Sequence, residues 1–348
     1  MHNAAINGLP EEVGNDPTSG ATYFAIASNG TMTYLRGTTE SAGRLVTITD
    51  PNGNGHVLPL PPRGYSIPRF SPDGKRLVLV INDHGNGIFT GQGDLWLYDF
   101  GAKSLSRLTF DDSSDYALWS PDGSTIFFDS SRGQGSGNLY AKNADGTGSA
   151  RPVLTNAISP ISPDAFSPDG RSFVFTQEGG LGGDLWMLSP GSGSKPKLFK
   201  ANAEGAAISP DGNYIAYTSY QSGTYQVFAS TFPDPTKGEW QISQEKGAYP
   251  KWCKDGRELV FYDERANRML AADVSLKPSF HASSPHPLFN LSRAEFSAMQ
   301  TNPAADYDAS SDCQRFVFLQ SSGGANRPSA ALSVTLNLPG QIRGLMQK

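Results

Sequence analysis

The sequence predicts an all-β chain, a β-propeller of four-stranded antiparallel blades. Three observations carry this expectation. A short turn, Ser71-Pro72-Asp73-Gly74, recurs down the chain. Strand-forming runs such as Leu77-Val78-Leu79-Val80 flank the copies. Outside the last few residues, no stretch sustains helical periodicity. In the turn, Pro72 presets φ, Asp73 can hydrogen-bond its own turn backbone, and Gly74 accepts positive φ. The continuous apolar run after it suits a strand buried on both faces.

Four more copies are Trp119-Ser120-Pro121-Asp122-Gly123, Phe166-Ser167-Pro168-Asp169-Gly170, Ile208-Ser209-Pro210-Asp211-Gly212 and Trp252-Cys253-Lys254-Asp255-Gly256. Degenerate copies, Ser28-Asn29-Gly30 and Ser311-Asp312-Cys313, lie outside them. The Asp or Asn positions 29, 73, 122, 169, 211, 255 and 312 are spaced by 44, 49, 47, 42, 44 and 57 residues. Such a period, built only of strands, signals propeller blades.

The first repeat gives strands over 21–28, 30–37, 44–50 and 56–61, which is one blade. Five more repeats follow, with innermost strands expected at 67–70, 117–119, 164–166, 206–208 and 250–252. The last repeat supplies 307–309, 314–319 and 331–337, three strands only. The count favours seven blades; six is the alternative, with the first or last repeat docked outside the ring. An incomplete last blade would expose an edge. The available N-terminal segment, residues 4–10, is therefore expected to close the ring beside 331–337. The whole chain, 1–348, reads as one propeller domain: an N-terminal segment 1–20, repeats over 21–338 and a tail over 339–348.

Composition narrows the function classes. The net charge of −5, with no basic stripe, argues against nucleic acid. No apolar run is long enough to span a bilayer. Met1-His2-Asn3 lacks the charged-then-apolar layout of a signal peptide. The chain is expected to be a monomer. Cys253 and Cys313 both sit at hairpin turns; two free structural thiols are the favoured reading over a disulfide between neighbouring blades. With five scattered histidines and no Cys-x-x-Cys or His-x-x-x-His spacing, neither a metal site nor a cofactor is expected. Core packing accounts for the tryptophans, and Asp-Gly turns account for the acidic series.

The repeat resembles the WD40-like repeat called PD40, found in TolB-type propellers, from about residue 21 to residue 338. Details resemble the propellers at the C-terminal end of bacterial serine/threonine protein kinases and related membrane regulators. The matching stretches are Ser28-Asn29-Gly30-Thr31, Leu108-Thr109-Phe110-Asp111, Trp240-Gln241-Ile242-Ser243, Gln314-Arg315-Phe316 and Leu332-Ser333-Val334-Thr335-Leu336-Asn337. The resemblance implies an extracytoplasmic or periplasmic sensing or protein-binding module. This chain carries no kinase signature: no Gly-rich phosphate loop, His-Arg-Asp or Asp-Phe-Gly. Similar repeats occur in oligogalacturonate lyases and beside prolyl-oligopeptidase-like catalytic domains, so the resemblance fixes fold more than function.

Catalytic signatures are absent. There is no Gly-x-Ser-x-Gly elbow and no Walker loop. The Gly-rich stretch 85–93 joins strands and leads into no helix, so it reads as a surface loop. Asp83-His84, at its start, and the pair His281 and His286 read as solvated groups at the periphery.

The mouth of the central channel is the better candidate, because every blade contributes a side chain where the loops entering the innermost strands converge. Aligning the turns places Tyr65, Tyr116, Tyr249 and Tyr307 there, with Asp115, Asp164, Glu204, Asp306 and Asp308 opposite Arg69 and Lys251. Aromatics with mixed charge suit a protein, peptide or carbohydrate ligand; charges neutralising one another around a water-filled channel are the plain alternative. The leading reading is a non-catalytic recognition module. The other is a polysaccharide lyase or glycoside hydrolase, with Tyr and Arg as base and charge neutraliser, or Asp115 and Asp164 as paired carboxylates.

Overall fold

The computed structural model describes residues 24–27, 31–35, 43–82, 93–132, 137–155, 159–177, 179, 182–190, 195–291, 306–322 and 332–335. The chain opens with a hairpin, β1 (Phe24–Ile26) and β2 (Met32–Leu35), then β3 (Arg44–Thr49) and β4 (Gly55–Val57). The first blade is β5 (Tyr65–Phe70), β6 (Arg76–Ile81), β7 (Asp94–Asp99) and β8 (Ser104–Arg107). The second is β9 (Ser114–Trp119), β10 (Thr125–Ser130), β11 (Asn138–Asn143) and β12 (Arg151–Leu154). The third is β13 (Ile161–Phe166), β14 (Phe173–Gln177), β15 (Asp184–Leu188) and β16 (Lys197–Ala201). The fourth is β17 (Ala203–Ile208), β18 (Tyr214–Ser219), β19 (Gln226–Thr231) and β20 (Glu239–Gln241). The fifth is β21 (Ala248–Cys253), β22 (Glu258–Asp263) and β23 (Arg268–Ser275), with β24 (His281–Ala282) and β25 (His286–Asn290) both paired to β23. Last come β26 (Tyr307–Ala309), β27 (Phe316–Ser321) and β28 (Leu332–Thr335).

The sixth blade is assembled from both parts of the chain, in the order β26-β27-β3-β4. β27 and β3 pair along their whole length, from Phe316 opposite Thr49 to Ser321 opposite Arg44. The propeller therefore has six blades, not the seven that the repeat count favoured. The expected first blade is split. Its first two strands, β1 and β2, form a separate three-stranded sheet with β28, and its last two complete the sixth blade. Burial explains the division: β3 hides Val46 and Ile48 on one face and Thr47 and Thr49 on the other, as a strand inside a blade must. Among the described residues, β3 and β4 close the ring. Residues 4–10 lie outside the described residues, and the strand expected beside them, β28, pairs with β2.

Five of the six turns are held by a serine; the turn of the fifth blade carries Cys253 in that slot. Ser71 Oγ donates to Asp73 Oδ1 at 2.6 Å and accepts from the Arg76 amide at 2.9 Å, while Asp73 Oδ1 also takes the Lys75 amide. Ser120–Asp122, Ser167–Asp169, Ser209–Asp211 and Ser310–Asp312 repeat the Ser-to-Asp bond, each at 2.6 Å. The acidic series is thus structural: these carboxylates lie below their usual pKa, with the serine hydroxyl the largest cause at Asp73, Asp122, Asp169 and Asp312. Turns also grip one another across blades, as when Arg76 donates to the Gly123 carbonyl at 2.9 Å and Arg315 to that of Gly74 at 2.6 Å.

The hydrophobic core lies between blades. Val46, Ile48, Val317 and Leu319 of the sixth blade pack with Leu77, Leu79 and Ile81 of the first, and equivalent clusters fill the other gaps. Trp119 and Trp252 are buried and donate from Nε1 to the carbonyls of Arg69 and Ala207 in the preceding blade. Cys253 and Cys313 are not free thiols: they form a disulfide, Cα–Cα 5.4 Å, that joins the turns of the fifth and sixth blades. The two slots of the repeat, serine and glycine, come together because neighbouring turns touch edge to edge. His281 and His286 are exposed on the short outer strands β24 and β25; residues 83–92, with Asp83-His84, lie outside the described residues.

Arg44, at the start of β3, donates to Asp306 Oδ1 at 2.8 Å and to the Tyr65 carbonyl at 3.3 Å, with both charged side chains buried. This ion pair ties the closing strand to the opposite end of the chain. Arg44→Met leaves a buried carboxylate uncompensated and is expected to cost about 3–5 kcal/mol in denaturant unfolding. Adding Asp306→Leu should recover much of that loss; equal costs for the single and double variants would show that the pair does not hold the closure.

Candidate functional site

The innermost strands β26, β5, β9, β13, β17 and β21 neighbour one another in that order around the channel. Five of them carry one extra residue against their partner strand: between Ser66 and Arg69, Asp115 and Leu118, Pro163 and Ala165, Glu204 and Ala207, and Ala248 and Lys251. A bulge of this kind bends the strand and re-aims its side chains. Four bulges hold a residue in left-handed backbone: Ile67 (φ 50°), Tyr116 (φ 42°), Gly205 (φ 61°) and Tyr249 (φ 56°). Non-glycine residues keep such conformations at a cost of about 1–3 kcal/mol each and cluster at functional sites.

Two of the bulges, at Gly205 and Tyr249, are fixed by threonines of the preceding blade. Thr218 Oγ1 accepts the Tyr249 amide at 2.7 Å. Thr176 Oγ1 donates to Asp164 Oδ2 at 2.7 Å and accepts the Gly205 amide at 3.4 Å. Gly205 is needed for a second reason: a Cβ there would stand 2.6 Å from Cδ1 of Tyr249. With that space open, the Tyr249 ring lies against the fourth blade and its hydroxyl donates to Glu204 Oε1 at 2.7 Å.

These residues enclose a cavity of ≈ 120 Å³ on the channel, lined by Arg69, Tyr116, Ser162, Asp164, Thr176, Glu204, Tyr249 and Lys251 among others. Five consecutive blades contribute to it. Lys251 Nζ pairs with Asp308 Oδ1 at 3.1 Å, and Asp308 Oδ2 takes the Phe70 amide at 2.9 Å. Arg69 donates to the carbonyls of Pro68 and Tyr307 at 2.8 and 3.1 Å.

Removal from water dominates the electrostatics. Burial pushes the Asp164 carboxyl up to about 7; the Thr176 hydroxyl opposes this and the negative Glu204 adds to it. Burial pulls the Lys251 ammonium below its ordinary value, against the stabilising Asp308. Burial, then the charge of Glu204, raises the Tyr249 phenol well above its usual range.

Of the residues expected at the mouth, Arg69, Tyr116, Asp164, Glu204, Tyr249 and Lys251 line one cavity, with Asp308 behind Lys251. Tyr65 is fully buried in the core, its hydroxyl donated to the Pro61 carbonyl. Tyr307 is fully buried, stacks on Phe318 and donates to the Tyr249 carbonyl. Asp306 belongs to the Arg44 ion pair, and burial pushes its carboxyl up to about 6. Asp115 Oδ1 accepts the amide of Tyr116, and Asp115 does not line the cavity that Asp164 lines. The site also sits on strands, not loops: β5, β9, β13, β17 and β21 each begin two or three residues before the expected inner strand. Thr176 was not anticipated. Its signal is a hydroxyl residue closing the apolar run Phe173-Val174-Phe175, as Thr218 follows Ile215-Ala216-Tyr217.

No protein-family model matches the chain. Proteins called Tol-Pal system protein TolB from Francisella tularensis subsp. mediasiatica and subsp. tularensis are 26% identical over 163 residues, 46% of this chain and 36% of theirs. The matched stretch thus spans about a third of the length of those curated relatives. Among solved structures, a putative TolB from Agrobacterium tumefaciens superposes with a TM-score of 0.61 at 19% identity, covering 81% of this chain and 99% of that one. TolB from Acinetobacter baumannii gives 0.51 at 19% identity, over 72% of this chain and 65% of that one. These likenesses show the propeller fold, and the blades are similar to those of TolB-type propellers.

Asp164 titrates near 7 in the folded chain against an ordinary 3.8, so the folded state holds a proton that the unfolded state has lost. Its contribution to stability is complete below about pH 4 and declines as pH rises to about 7. Asp164→Asn should flatten the melting-temperature profile between pH 4 and 7; an unchanged slope would remove Asp164 as its source. Gly205→Ala should cost about 1–3 kcal/mol through strain and the clash with Tyr249. Adding Tyr249→Ala should relieve the clash, and two costs that merely add would argue against it.

Proposed function

We propose that this chain is a non-catalytic recognition propeller that binds a protein or peptide segment at the mouth of its central channel. The observation that carries the reading is the cavity itself. Five blades supply its walls, strained backbone holds two of its tyrosines, and its polar groups are positioned by hydrogen bonds between blades. Its ≈ 120 Å³ falls short of the several hundred typical of sites for whole small molecules, but suits one inserted side chain. The curated relatives are called Tol-Pal system proteins, which supports a protein partner here. The Cys253–Cys313 disulfide supports an oxidising, extracytoplasmic compartment.

Photo-crosslinking tests the reading. A benzophenone amino acid replaces Asp115, which adjoins Tyr116 without lining the cavity, or Leu198, exposed on the outer strand β16. Partner adducts are expected from position 115. Adducts from position 198 alone would move the binding surface to the blade rim and overturn the proposal.

A further inference from the structure

We infer that the ligand presents a primary ammonium, from a lysine side chain or a chain amino terminus, to the carboxyl groups of Asp164 and Glu204 in the channel cavity. The inference rests on the channel-mouth reading and specifies its chemistry. The basic groups at the mouth already have partners: Lys251 pairs with Asp308, and Arg69 donates to two backbone carbonyls. Asp164 differs. Its Oδ2 accepts from the neutral Thr176 hydroxyl, and among the described residues it joins no ion pair. Two positive charges, Arg69 and Lys251, face three carboxyl groups, Asp164, Glu204 and Asp308, so with all ionised the site carries a net negative charge.

An inserted ammonium supplies the missing charge and can donate to carboxyl oxygens in a region of reduced solvent, where such bonds are strongest. Tyr116 and Tyr249 line the same cavity, and aromatic faces attract cations. The cavity's ≈ 120 Å³ admits the end of an extended side chain. An anionic ligand would have to compete with Asp308 for Lys251 while adding negative charge beside Asp164 and Glu204. A metal ion is disfavoured: among the described residues no group of three or more His, Cys, Asp or Glu could hold one.

Proton linkage gives the site a signature. The charged groups that act on Asp164 are Glu204 on β17, Lys251 on β21 and Arg69 on β5, while Asp308 on β26 reaches it through Lys251. A cation favours the ionised carboxylate, so binding expels the Asp164 proton and tightens as pH rises towards and past about 7.

The test selects displayed random heptapeptides on the full chain and rescreens the binders on Ser162→Trp, which fills the cavity, and on Asp164→Asn. Binders that Ser162→Trp abolishes should carry a lysine or a required free amino terminus. They should bind Asp164→Asn at least tenfold more weakly, and bind the unaltered chain more weakly at pH 5.5 than at pH 8. Replacing lysine by norleucine, or acetylating the amino terminus, identifies the source of the ammonium. Binders that need the cavity yet lack an amine, or keep their affinity for Asp164→Asn with no pH dependence, overturn the cation and leave the channel-mouth reading standing. Binders indifferent to Ser162→Trp overturn both.

Discussion

β3 against β27 is the pairing on which the ring depends. A propeller blade buries its faces against its neighbours, so an unpaired or missing blade would leave two apolar faces in water. Here the chain brings together segments more than 260 residues apart, and the six-residue ladder between them satisfies two strand edges at once. The closure is reinforced by charge, through Arg44 and Asp306, and by packing of Val46 and Ile48 with Leu77 and Leu79 of the first blade. The Cys253–Cys313 disulfide binds the neighbouring fifth blade to the same sixth blade, on the turn face. The seam is thus held by backbone, ion pair, core and covalent bond together.

Within the ring, the two faces are built from different local rules. On one face the Ser-Asp turns use side-chain oxygens to satisfy turn amides, and identical geometry recurs because the same short sequence dictates it each time. On the other, each bulge breaks strand alternation, and its side chains differ from blade to blade. The first face supplies uniform contacts between blades. The second supplies variety at one place.

The cavity arises from that variety. Gly205 has no side chain because Tyr249 occupies its space, and Tyr249 accepts left-handed backbone because Thr218 holds its amide. Strain in one blade is therefore compensated by a hydroxyl in the preceding one. Burial is the main cause of the raised pKa of Asp164, and the charge of Glu204 adds to it against the Thr176 hydroxyl and the cations Lys251 and Arg69.

The sequence by itself determined the blade. Turn chemistry and apolar runs are local, so Ser71-Pro72-Asp73-Gly74 and Leu77-Val78-Leu79-Val80 announce a hairpin wherever they occur. It also placed Arg69, Tyr116, Asp164, Glu204, Tyr249 and Lys251 near one another, because a fixed repeat carries equivalent positions to equivalent places. Tertiary structure alone decided the number of blades, since 44–50 reads equally well as a strand of its own repeat or as the completion of the last one. It separated Tyr65, Asp306 and Tyr307, which turn into the protein, from residues of the same kind that face the channel. It joined Cys253 to Cys313, whose slots differ within the repeat and meet only across blades. The physical reason is common to all three: partner choice between strands, side-chain direction after a bulge and contact between neighbouring turns depend on residues far away in the chain, which no local pattern encodes.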